Sequence, residues 1–89
     1  MKQEWRSGGK HVPKFFFNLR DDVSVEDCEG KELADAGTAR EAAVHYAREM
    51  MAEDVRDGRL VLKDSIEIVD EKGEKVLTVP FRDAIDIEE

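Results

Sequence analysis

Cys28 is the one strongly nucleophilic thiol in the chain, and its sequence neighbours argue against its use. Glu26, Asp27, Glu29 and Glu32 flank it, and such acidic company disfavours the reactive thiolate. His45 has Glu41 and Glu49 four residues away on either side, which puts all three on one side of a helix. That trio could hold a surface metal ion, but it lacks a second strong nitrogen or sulfur ligand. It reads as a solvated polar face with charge pairs. His11 follows Ser7-Gly8-Gly9 in an unpatterned stretch where a catalytic group could not be held in place. The acidic groups at Asp21-Asp22, Asp27-Cys28-Glu29-Gly30 and Asp70-Glu71-Lys72-Gly73-Glu74 lack the alternating oxygen ligands of a calcium loop. They read as turns. No glycine-rich phosphate loop, paired-histidine motif or Gly-x-Ser-x-Gly occurs. The residue types therefore predict no catalytic residue, no metal site and no cofactor.

The elements that could position a site must come from one small domain, because the chain has 89 residues. Hydrophobic and charged residues each make up 40%, and the former suffice for one core. The formal net charge is −8, which opposes nucleic acid phosphates and anionic lipid. Residues 1–14 run against that balance, with Lys2, Arg6, Lys10 and Lys14 against Glu4. Residues 1–11 read as a flexible basic extension and residues 12–89 as the domain. No apolar run approaches the roughly 20 residues of a membrane span, and no secretory signal is evident. A single cysteine suits the reducing cytoplasm.

Phe15-Phe16-Phe17-Asn18-Leu19-Arg20 predicts a strand with Phe15, Phe17 and Leu19 on one face and Phe16, Asn18 and Arg20 on the other. Asp21-Asp22 then turns the chain into Val23-Ser24-Val25-Glu26, giving a hairpin. Glu29-Gly30 permits a bulge, after which residues 31–33 extend the second strand. Thr38 and Glu41 have capping-box spacing and predict the start of a helix. Its apolar stripe holds Ala39, Ala42, Ala43, Tyr46, Ala47 and Met50, widened by Val44, Met51 and Val55. Gly58 stops it.

Residues 66–69 and 76–79 form a second hairpin around a turn in which Gly73 supplies positive φ. Pro80 ends useful pairing. Residues 60–62 are open between a loop on the core and an early strand. In the tail, Phe81 and Ile85 look anchored. The order is ββαββ. Placing strand 3 beside strand 1 makes every neighbour antiparallel and gives a four-stranded sheet of order 2-1-3-4, with one helix on one face. The fold class is an α+β two-layer sandwich.

Lys14 to Asp21, Asp27 to Leu33, and Val79-Pro80-Phe81 together resemble a family of short uncharacterised bacterial proteins. That family has an N-terminal Phe-Phe-Phe-x-Leu-Arg strand and a C-terminal Val-Pro-Phe hairpin, and the likeness spans about residues 13–85. Asn18 stands where the family commonly has His. The resemblance implies a fold and a bacterial origin, and no chemistry. The topology alone is also similar to antitoxin domains of HicB type.

The helix can cover one face only, so the other exposes Phe16 and Val69, with Val76 or Leu77 added according to hairpin register. The expected function is accordingly a non-enzymatic protein-interaction or self-association module, with a homodimer or another protein as partner. Two alternatives stay open at this level: an antitoxin-like or regulatory protein that binds a basic partner, and a small-ligand-binding protein or enzyme.

Overall fold

Alternation carries the first strand. β1, Lys14–Arg20, buries Phe15 and turns Phe17 and Leu19 to the same side, where the helix lies. The computed structural model describes residues 12–21 and 24–89. The expected basic extension 1–11, with Trp5 and His11, and the Asp22-Val23 step of the first hairpin lie outside the described residues.

The partner strand is much shorter than the sequence predicts. Among the described residues 24–26, Val25 alone pairs with β1, through two backbone hydrogen bonds with Leu19 of 2.9 and 3.0 Å. The regular strand is β2, Lys31–Glu32, set opposite Phe15 and Lys14. Between these two points the chain leaves the ladder and returns through Gly30 at φ +73°. The hairpin is there, but a side chain rather than a strand fills its middle.

The helix α1, Ala36–Arg56, starts earlier than its expected cap. Asp35 is the N-cap, and its carboxylate accepts from the Thr38 backbone N–H at 2.8 Å and from the Thr38 hydroxyl at 2.9 Å. Aspartate three residues upstream thus takes the capping role, and Thr38 becomes a donor inside the first turn. At the other end Arg59 donates to the Asp54 carbonyl and Gly58 to that of Val55, the double closure of a Schellman motif. Gly58 stands there at φ +87°.

The buried line of α1 is Ala39, Ala43, Ala47 and Met51, four residues apart each time. Three alanines let the helix backbone approach the sheet closely, and Met51 is buried one turn further along the same line. Met50, expected in the core, is 36% exposed. The apolar stripe is broad enough to be laid on the sheet at more than one rotation. The tight alanine ridge decides which one is used.

β3, Ser65–Val69, and β4, Lys75–Pro80, complete an antiparallel sheet of order β2-β1-β3-β4. Ile66 and Ile68 of β3 are fully buried under α1, and each is worth about 1.5–3 kcal/mol of transfer free energy. Asp70 closes the β3–β4 turn by accepting from the N–H groups of Lys72 and Glu74, both at 2.9 Å. A 3-10 turn, Phe81–Ala84, follows Pro80 and inserts Phe81 and Ala84 between sheet and helix. Arg48 of α1 donates to the Ala84 carbonyl at 2.6 Å and fastens the turn to the helix. Residues 60–62 form a loop in which Leu62 packs on the core and Leu60 stays exposed. The result is the α+β two-layer sandwich. Among the described residues no helix is long and apolar enough to cross a membrane.

Candidate functional site

Register places the three expected interface residues. Phe16 and Val69 are direct cross-strand partners in the β1–β3 pair, on the sheet face that α1 does not cover. Val76 does not join them. Ile68 pairs with Leu77 and Val69 with Lys75, so Val76 is the extra residue of a β-bulge. Its side chain packs against the core cluster instead. The bulge turns both Val76 and Leu77 towards the core, an outcome the alternating pattern does not anticipate.

The uncovered face is mostly polar around the Phe16–Val69 pair. Arg20 spans to Glu26 at 2.5 Å and to Glu67 at 2.6 Å, and Lys75 approaches Glu67 from the opposite side at 3.4 Å. The Arg20 hydrogen bond, followed by that of Lys75, holds the Glu67 carboxyl below its ordinary range, and burial opposes this only in part. Glu26 and Glu67 together raise the Arg20 guanidinium further. Asn18, the cross-strand neighbour of Glu67, is only 4% exposed, its side-chain oxygen accepting from the Asp27 backbone N–H at 2.8 Å.

Asp27 organises the edge. Its carboxylate accepts from the backbone N–H groups of Phe17, Glu29 and Gly30, at 3.1, 3.0 and 3.1 Å. Burial pushes its carboxyl up, but the three donors outweigh that and leave it below the usual range. Gly30 sits against the Phe16 ring, where a Cβ would come within 2.8 Å of a ring carbon. The segment from Asp27 to Gly30 therefore partly roofs Phe16 and fixes its orientation. The acidic Gly turn was visible in sequence. Its bonds to Phe17 and Asn18 were not, because both partners lie about ten residues away on β1.

On the helix side, a hollow of about 310 Å³ opens between this segment and α1. Phe17, Leu19, Ile66, Tyr46 and Met50 line it, with Asp27, Glu29 and Lys31 at the rim. Phe17 and Tyr46 meet edge to face with ring centroids 5.2 Å apart.

The other chemistry-bearing residues stay apart. Cys28 is exposed on the Asp27–Gly30 segment, and His45 is an exposed helix residue 3.2 Å from Glu49. Among the described residues no group of three or more His, Cys, Asp or Glu is placed to hold a metal ion.

The model of the domain of unknown function DUF6894 matches residues 14–82. The chain belongs to this family. The matched DUF6894 region begins at the first residue of β1 and ends inside the 3-10 turn, so the family unit is the whole sheet with its helix. The Asp27 edge, the Phe16–Val69 pair and the hollow all fall within it. No curated protein and no solved structure shows significant similarity to the chain.

Proposed function

We propose that this protein is a non-enzymatic interaction module that self-associates through the uncovered face of its sheet. The observation that supports the reading is the register pairing of Phe16 with Val69 on that face. An aromatic and a β-branched side chain stand side by side there, with Arg20, Glu67 and Lys75 around them. An apolar centre with a charged rim is the usual anatomy of a specific interface. Each protomer already has its own core in Phe15, Ile66, Ile68 and Phe81, so association is not needed for folding. A reversible two-fold dimer, with Phe16 and Val69 near the axis, satisfies both conditions.

Sedimentation equilibrium over a range of protein concentrations tests the reading. The expected result is a monomer–dimer equilibrium in the micromolar range that Phe16→Glu abolishes while the far-ultraviolet circular dichroism stays unchanged. A wild-type chain that remains monomeric at high micromolar concentration overturns it.

A further inference from the structure

The hollow beside Tyr46 does not end at Met50. A second hollow of about 190 Å³ shares Leu19 and Met50 with it and continues towards the C-terminal end of α1, where Glu53, Asp54, Asp64 and Phe81 line it. The two make one furrow on the helix side of the sheet, away from Phe16 and Val69. Its floor is apolar, built from Phe17, Leu19, Ile66, Tyr46 and Met50. Its rim is acidic on both walls, with Asp27 and Glu29 on the β1 side and Glu53 and Asp54 on the helix side. Lys31 is the one basic side chain among the lining residues. No ion pair engages Glu29, Glu53 or Asp54 among the described residues; Glu29 and Glu53 are exposed and Asp54 is half-buried.

We propose that this furrow is the docking site for a short basic, amphipathic segment of another protein. Apolar side chains of the segment would seat over Tyr46, Met50 and Leu19, and its Lys or Arg side chains would reach the acids of the two walls. Charge complementarity selects the partner. An acidic or nucleic acid ligand meets repulsion from both walls, whereas a basic one gains steering and register from them. Met50 supports the same assignment, since a half-exposed methionine adapts its shape to varied apolar side chains. The Asp27 carboxylate, held by three backbone N–H groups, keeps one wall rigid before the segment arrives.

A fluorescein-labelled peptide in which Leu alternates with Lys, compared with its Leu–Glu counterpart, tests the proposal on the full chain by anisotropy. The Lys peptide should bind with a Kd of roughly tens of micromolar, the Glu peptide at least about tenfold more weakly, and binding should weaken as salt is raised. Resonances of Phe17, Leu19, Tyr46 and Met50 should move on titration, while those of Val69 stay put. The double change Glu53→Lys with Asp54→Lys, at one exposed and one half-buried position of the last helical turn, should weaken the Lys peptide at least about tenfold while the far-ultraviolet circular dichroism stays that of a folded chain. Equal binding of the two peptides, shifts confined to residues outside the furrow, or an affinity indifferent to the charge reversal would each overturn the proposal. The comparison of the two peptides needs no variant, so it stands even if the double change disturbs folding.

Discussion

Asp27 accepts a hydrogen bond from the backbone N–H of Phe17 at 3.1 Å, where a carbonyl of a neighbouring strand would otherwise stand. The bond fills the gap between the Leu19–Val25 bridge and the Phe15–Lys31 pair, so one carboxylate replaces a rung of the ladder. The same carboxylate turns the chain at Glu29 and Gly30. Strand edge and furrow wall thus depend on a single side chain.

Asp27→Ala should lower stability by about 2–3 kcal/mol, because it strips an acceptor from three N–H groups, two of them in part-buried bonds. Asp27→Asn keeps one acceptor oxygen and should cost less. Urea denaturation of the two variants checks the ranking, and equal losses would mean that the charge rather than the geometry matters.

Acid should destabilise the fold over a defined window. Asp27, Asp35 and Glu67 all have carboxyl values lowered by folding: Asp27 by backbone donors that outweigh its burial, Asp35 by the Thr38 N–H, and Glu67 by Arg20. A group lowered in the folded state contributes fully above its unfolded value and loses that contribution as pH falls through the folded one. Stability should therefore be level between pH 7 and about 5 and fall below about pH 4. Denaturation midpoints measured across that range test it, and Asp27→Asn should flatten part of the decline.

Met51→Ala should cost about 2–5 kcal/mol, since the side chain is 3% exposed and leaves a cavity in the core cluster. Met50→Ala, at 36% exposure, should cost less than about 1 kcal/mol. Thermal or chemical denaturation separates the two. Equal costs would show that the helix sits at another rotation.

Gly30→Ala and Gly73→Ala should differ although both glycines have positive φ, +73° and +81°. At Gly73 nothing lies within 4 Å of a new Cβ, so the cost is the backbone strain alone, about 1 kcal/mol. At Gly30 the Cβ meets the Phe16 ring at 2.8 Å, which adds a collision worth about 1–3 kcal/mol more. Gly30→Ala should also shift the Phe16 ring resonances, and Gly73→Ala should leave them in place.

Periodicity alone determined most of the architecture. The alternation of Phe15, Phe17 and Leu19, the alanine-rich helix and the Gly73 hairpin are local patterns. The requirement that neighbouring strands be antiparallel then leads to the order 2-1-3-4. Tertiary structure decided what local pattern leaves degenerate. Thr38 has the spacing of a cap, yet in the fold Asp35 caps α1 and Thr38 donates to it. Met50 and Met51 both belong to the apolar stripe, and only the close approach of Ala39, Ala43 and Ala47 to the sheet chooses Met51. Val76 is turned inward by a bulge that no two-residue period contains. The Asp27–Phe17 bond and the furrow bring together residues from β1, the Asp27–Lys31 segment and α1. Such long-range placements follow from how the layers pack, and residue spacing along the chain carries no record of them.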